Sequence, residues 1–421
     1  MNSPLESWRK TLYIIWASQF IAMMGMSLVV PFLPFYIRSL GVSDSAEVAQ
    51  WSGLVFAGPF LPAFFLTPVW GYLGDRYGRK MMTVRAIFGL ALSQVLIGIA
   101  PNVETLFFFR MVQGAISGFL ASALALVSAN TPKEKSGYAI GLLQTATSSG
   151  NVIGPLVGGS LADAFGYRPI FFIVGGLCTI AGLFVMQFVK ETVTVSDDHK
   201  PKHTLASNYK YAIHSKPIRI ALAIILLSQV AVFLVQPIFA LFVDSLASTD
   251  KYLATMAGAI FSITGLFTVI SAPWWGKRND AKSYKKNLSF AIFGAGIAFG
   301  LQGAVTDIYQ LAFVRAALGF CIGGMLPTLY SYVNKNSSLE RRGGIMGIAS
   351  SMNILANLVG APFGGFLGAQ FGFRAVFFLT GGILTSTVFF VRRHFTDVRT
   401  EETEEVQPPN IVAVTSQEDV T

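Results

Sequence analysis

The sequence predicts an all-α integral membrane protein whose twelve transmembrane helices form two pseudo-symmetric six-helix bundles. Three observations predict it. Hydrophobic residues make up 53% of the 421 and charged residues only 13%, with a mean hydropathy of +0.57, whereas soluble domains carry about 25% charged residues. Apolar runs of about 20 residues, the length that crosses a hydrocarbon layer of about 30 Å, recur from residue 11 to residue 393. The chain also repeats itself at an offset of 205 or 206 residues. TPVWGYLGDRYGRK lies over SAPWWGKRNDAKSYKK, LFFFRMVQG over LAFVRAALG, and AFGYRPIFF over QFGFRAVFF.

The predicted spans are 11–37, 51–73, 82–100, 105–128, 137–161, 168–189, 218–243, 254–275, 288–306, 308–331, 344–367 and 373–391. The first run is too long for a signal-peptide core and lacks a small-residue cleavage site, so it is read as a retained helix. An even number of spans puts both termini on one side. All but six of the 31 Lys and Arg residues lie in or beside the N-terminus, the loops after even-numbered spans and the tail. The positive-inside bias then makes both termini cytoplasmic. The +9 net charge is thereby a topological feature and not a nucleic-acid footprint.

Residues 1–190 are expected to form the first bundle, 191–217 a polar cytoplasmic linker, 218–393 the second bundle and 394–421 a disordered, acid-rich tail. Six spans separate the members of each matched pair. Partners therefore share membrane orientation, which makes the repeat parallel and places a substrate site between the halves near mid-membrane.

Three stretches carry chemistry. GYLGDRYGRK, residues 71–80, joins spans 2 and 3. Gly71 and Gly74 permit close backbone approach, and a carboxylate at Asp75 suits the positive N-terminus of a facing helix, a contact worth about 0.3–1 kcal/mol when exposed. In span 5, GNVIGPLVGG puts Gly150, Gly154 and Gly158 on one face with Pro155 and Gly159 beside them. Spans 4 and 10 each place one arginine, Arg110 and Arg315, well inside the membrane, where a charge is costly enough to mark a functional candidate.

With these motifs the chain resembles the major facilitator superfamily, and within it the twelve-helix drug/proton antiporters, over about residues 8–393. Gly71, Asp75, Arg76, Gly78, Arg79 and Lys80 match the signature G-x-x-x-D-R-x-G-R-[RK]. The resemblance implies a cytoplasmic latch, closing against span 11 where ERRGG enters it and parting when the cavity opens inward. Arg110, Gln113 and Gly114 match the R-x-x-Q-G that the family associates with proton coupling. Gly150, Gly154, Pro155, Gly158 and Gly159 match the G-x-x-x-G-P-x-x-G-G of exporters.

The sequence departs from this pattern in one respect. All 22 acids lie in loops, the tail or helix ends, and His199, His203, His214 and His394 lie in the linker or tail. Where many relatives carry an acid in span 1, SQFIAMMGMSLVVPFLP offers only Gln19. Two arginines in a dry cavity suit a carboxylate or phosphonate. Gln19, Gln113, Gln144, Asn151, Gln229, Gln236, Asn353 and Asn357 could add hydrogen bonds, and Met23 with Met24 and Met26 an adaptable apolar wall.

The resemblance implies a proton-coupled secondary transporter exporting small amphiphilic compounds by alternating access, a monomer in a bacterial cytoplasmic (inner) membrane. Its expected partners are a small-molecule substrate, protons and the lipid bilayer, with no nucleic acid. A dedicated carrier of an organic anion, such as a siderophore or metabolite, is the alternative. No cofactor or metal is expected: Cys178 and Cys321 sit in apolar runs without metal-ligand spacing, and no nucleotide-cradling G-x-x-x-x-G-K-[ST] occurs. Nor is an enzyme expected, since no nucleophile with a base partner lies in the helices.

Overall fold

Apolar runs interrupted by Gly and Pro fold as helices broken at those residues, because the backbone groups that a break frees must be satisfied within the protein. The computed structural model describes residues 4–116, 118–191, 204–247, 251–281, 283–338 and 340–397, with backbone alone at residues 4–7, 75, 133, 205 and 280. Span 1 runs as Pro4–Ser27 and Leu33–Ser39, span 2 as Ser45–Ala57 and Phe60–Tyr77, and span 3 as Arg79–Gly98. Span 4 is Val103–Ile116 and Phe119–Asn130, span 5 Ser136–Phe165 and span 6 Tyr167–Phe188. A linker helix, Leu205–His214, precedes span 7, which breaks at Gln236–Ile238 into Lys216–Val235 and Phe239–Leu246. Spans 8 to 12 are Leu253–Ala281, Tyr284–Ala304, Ile308–Lys335, Arg342–Phe371 and Phe373–His394, each continuous.

Ten of these segments are long and apolar enough to cross a membrane. The other two, spans 1 and 5, pack on one another. Span 5 is rich in Gly, Ser and Thr, which lowers its apolarity and suits it to close helix packing. They stand where the repeat places the counterparts of spans 7 and 11, so the predicted all-helical two-bundle architecture holds.

The repeat is structural as well as sequential. Within the first bundle, spans 1 and 5, 1 and 6, and 3 and 6 pack together; within the second, spans 7 and 11, 7 and 12, and 9 and 12 do the same. Trp70 donates its indole N–H to the Ala115 carbonyl at 2.8 Å, and Trp275 donates to the Phe320 carbonyl at 2.7 Å. Arg168 reaches the Ala100 carbonyl and Arg374 the Gly303 carbonyl, both at 3.0 Å. Each arginine thus closes the loop end of its own bundle.

The halves meet mainly through two pairs of helices, span 2 with span 11 and span 5 with span 8, with smaller contacts of span 7 to spans 1 and 2. The termini define one face of the molecule, called here the terminal face. Residues 394–397, assigned from sequence to the tail, remain packed on this face: Phe395 is buried with its ring 4.1 Å from Tyr332, and Asp397 bonds the loop before span 9. Residues 398–421, and the linker residues 192–203, lie outside the described residues.

Candidate transport site

Glycine stripes decide how closely the helices around the centre approach. A Cβ on Gly150, Gly154 or Gly158 would strike span 1 at Met23, Met24, Ser27 or Leu28, and one on Gly159 would strike the Ala254 carbonyl of span 8. Ser27 adds a hydrogen bond to the Gly150 carbonyl at 2.9 Å. Span 11 repeats the arrangement, with Gly360 and Gly364 against Val230 and Leu234 of span 7 and Gly365 against Ala49 of span 2. The exporter-type pattern of span 5 is therefore a two-sided packing surface. Gln144 and Asn151 are exposed on the helical arc between the residues that face span 1 and those that face span 8.

The R-x-x-Q-G motif repairs a break. Pro59 has no N–H, so the Val55 carbonyl four residues earlier loses its helical partner. Arg110, buried in span 4, donates its Nε–H to that carbonyl at 3.3 Å and its Nη1–H to Gln113 Oε1 at 2.6 Å. Gly114 completes the site, because any Cβ there would overlap the Pro59 carbonyl. In the second bundle span 8 is unbroken and Thr264 stands where Pro59 does at an offset of 205. Arg315, the counterpart of Arg110, has no freed carbonyl to meet; its guanidinium carbon lies 3.7 Å from the centre of the Phe239 ring and 6.0 Å from that of Phe261.

At the terminal face, GYLGDRYGRK is the end of span 2 and the start of span 3, hinged at Gly78 with φ +98°. Nothing would meet a Cβ on Gly71 within 4 Å, and the same is true of Gly343 and Gly347 on span 11. The side chain of Asp75 lies outside the described residues. Arg76 lies over the Tyr77 ring, and Arg79 donates to the Ala125 carbonyl at 3.3 Å. Arg85, inside span 3, has its guanidinium carbon 3.5 Å from the centre of the Trp70 ring.

The N-terminus of span 3 is capped from a distance by a residue the sequence reading passed over. Glu191, just past span 6, accepts the Arg79 N–H at 2.8 Å and the Lys80 N–H at 3.1 Å. Asp397, just past span 12, accepts the Lys285 N–H at 2.9 Å and the Ser283 hydroxyl at 2.6 Å. The offset is again 206 residues, so carrying the repeat to its end would have found both. At the start of span 11, Arg341 of the ERRGG stretch holds the linker helix by donating to Ser207 Oγ at 2.8 Å.

The face opposite the termini is where the halves are tied. Arg38 Nη1 and Asp244 Oδ2, 206 residues apart and so equivalent in the two halves, form an ion pair at 2.6 Å. Asp163 of span 5 accepts the Thr255 N–H at 2.7 Å and the Thr255 hydroxyl at 2.6 Å, and so caps span 8 across the interface. Gly53 packs on Ala361 and Pro362, and Gly258 on the Pro155 carbonyl.

The remaining sequence candidates separate. Gln19 is fully buried and its Nε2 donates to Thr147 Oγ1 at 2.7 Å and to the Leu143 carbonyl at 3.3 Å of span 5, a contact between helices that leaves its Oε1 buried and unpartnered. Met23 packs beneath Gly150. Gln229 is buried, Gln236 half-buried in the break of span 7, and Asn353 half-buried. Asn357 is buried with its Oδ1 unpartnered. No cluster of three or more His, Cys, Asp or Glu that could hold a metal occurs among the described residues.

Two parallel bundles, tied at one face, with glycine-lined helices flanking the axis between them, define a polytopic membrane protein of the secondary-transporter class. The family model of the Major Facilitator Superfamily matches residues 15–280 and 248–416, and the chain belongs to that superfamily. It is 36% identical to the "Multidrug resistance protein MdtG" of Proteus mirabilis over 382 residues, covering 90% of this chain and 94% of that one. Among solved structures it resembles the nucleoside transporter NupG, with a TM-score of 0.77 at 14% identity over 91% of this chain and 98% of that one. A bacterial homolog of the human lysosomal transporter Spinster, inward-facing and occupied, gives a TM-score of 0.74 at 16% identity over 94% and 98%.

Proposed function

We propose that the chain is a proton-coupled multidrug-type exporter of small amphiphilic compounds that works by alternating access, and not an enzyme. The observation that carries the reading is the asymmetry between the two faces. The halves are tied opposite the termini by Arg38–Asp244 and Asp163–Thr255, while Gly71, Gly343 and Gly347 on the terminal side have open space before them. With the basic terminal face cytoplasmic, this is an inward-open carrier. The name of the MdtG relative supports multidrug export.

In this reading residues 1–190 and 218–393 rock against one another about the linker 191–217, as a monomer in a bacterial inner membrane with both termini cytoplasmic. Small-residue contacts along spans 5 and 11 let helices slide without large side chains having to disengage. The stretch 71–80 closes on span 11 when the cytoplasmic side shuts, with Asp75 set against its N-terminus. Arg110, Gln113 and Gly114 serve coupling by supporting the Pro59 break, the point at which span 2 bends.

The test uses purified protein in liposomes with a trapped pH dye and an imposed proton gradient, challenged with a lipophilic cation, a neutral amphiphile and an organic anion. Substrate-evoked proton flux is expected. Its absence with all three would overturn the exporter reading. Asp75→Asn retaining wild-type transport at wild-type expression would remove the latch, and unaltered proton movement in Arg110→Lys would remove the coupling role, since lysine keeps the charge but not the geometry.

A further inference from the structure

Arg110 and Arg315 occupy equivalent places in the two bundles, and only one of them is satisfied by the protein. Arg110 has the carbonyl that Pro59 frees and the Gln113 amide oxygen. For Arg315 the equivalent of Gln113 is Leu318, and span 8 carries Thr264 where span 2 has Pro59, so the helix continues there and frees no carbonyl at the position equivalent to Val55. The Arg315 side chain is 5% exposed, its Nε is buried without an acceptor, and its contacts are to the Phe239 and Phe261 rings. A stacked ring covers one face of a guanidinium and leaves the donors along its edge uncommitted. A buried group in that condition is incomplete until an acceptor arrives.

The surroundings also say what kind of acceptor fits. Phe239 begins the second segment of span 7, immediately after the break at Gln236–Ile238, and half-buried Gln236 stands within that break. Phe261 belongs to span 8, three residues after Gly258 and four before Gly265, which pack on Pro155 and Val152 of span 5, so it lies close to the interface of the halves. No mid-membrane carboxylate exists in this chain to pair with the cation. An oxyanion on an apolar body matches both elements, the planar fork donating to it bidentately and the half-buried Phe261 ring meeting the hydrocarbon, while fully buried Phe239 backs the guanidinium.

We propose that Arg315, framed by Phe239 and Phe261, is a recognition point for the anionic headgroup of an amphiphilic substrate, a carboxylate or similar oxyanion. This rests on the exporter reading and names the substrate class within it. The two arginines then do different work: Arg110 is a positioning residue for the bend in span 2, and Arg315 is a ligand-reading residue. Replacement of Arg315 affects discrimination between charged and neutral compounds, whereas replacement of Arg110 affects transport of both.

The test compares a dansyl-labelled undecanoic acid with its primary amide, titrated into purified full-length protein and followed by dansyl fluorescence. The wild type is expected to bind the acid about tenfold more tightly than the amide. In Arg315→Gln that ratio falls to near one while the amide affinity stays at the wild-type value, and Arg315→Lys keeps part of the preference. Equal binding of acid and amide by the wild type overturns the proposal, as does a ratio unchanged in Arg315→Gln. Loss of both ligands in that variant also overturns it, by making Arg315 structural. The exporter reading fails separately: wild-type liposomes would then give no proton flux with the acid, the amide or a lipophilic cation.

Discussion

Removing the two polar ties between the halves, Arg38→Ala together with Asp163→Ala, should shift the protein away from the state described here. Asp163 caps the N-terminus of span 8 with bonds of 2.7 and 2.6 Å to Thr255, and losing such a cap costs about 1 kcal/mol. The Arg38–Asp244 pair is short, but its side chains are 34% and 22% exposed, so a contribution of about 0.5 kcal/mol is appropriate for a partly solvated pair. Both contacts cross between the halves and are lost when the opposite face opens. Their sum, about 1.5 kcal/mol, changes the ratio of the two states about tenfold. Spin labels on cysteines introduced at exposed Ser43 and Tyr309 place one probe in each half at that face, and pulsed dipolar spectroscopy reads their separation. A new population at longer distance is expected, growing from Arg38→Ala to Asp163→Ala to the double variant. A distance distribution unchanged in the double variant would refute the reasoning, because these contacts would then contribute nothing to the equilibrium.

Three further outcomes follow from the geometry. Gly114→Ala, whose added methyl overlaps the Pro59 carbonyl, should abolish substrate-evoked proton flux and lower the melting temperature in detergent, while Gly71→Ala, facing open space, leaves the melting temperature unchanged. Arg110→Gln should lose about 1.5–3 kcal/mol from its charged hydrogen bonds; Pro59→Ala, which returns an N–H to the Val55 carbonyl, should recover part of the resulting fall in melting temperature without restoring transport. Glu191→Ala and Asp397→Ala each remove a cap of about 1 kcal/mol from the third helix of a bundle, and should show equal destabilisation by thermal unfolding if the repeat is energetic as well as geometric.

Much of the fold was legible because membrane insertion depends on coarse properties. Length, apolarity and the placement of lysine and arginine need no knowledge of packing, and Gly150, Gly154 and Gly158 reveal a shared face by spacing alone. What remained hidden was relational. Glu191 reads as the end of a helix and the start of a linker, and its role as a cap appears only when Arg79 and Lys80 stand against it. Gln19 is the most polar residue in the middle of span 1, which favoured a cavity role; burial against Thr147 shows that a polar side chain in a membrane helix is as readily consumed by a neighbouring helix. Arg38 reads as one charge in a short loop, and only its 206-residue relation to Asp244 explains why that charge meets an acid there.

The internal repeat therefore separates two kinds of information. Features shared by both halves, such as Trp70 with Trp275, Arg168 with Arg374 and Glu191 with Asp397, hold each bundle together, and they recur because each bundle must solve the same packing problem. Function requires the halves to differ, since two identical bundles would give a cavity without a direction for charge. Pro59 facing Thr264 is such a difference. It commits Arg110 to the backbone of span 2 and, by its absence from span 8, leaves Arg315 among aromatic rings. One proline thus assigns different tasks to two arginines that the repeat had made equivalent.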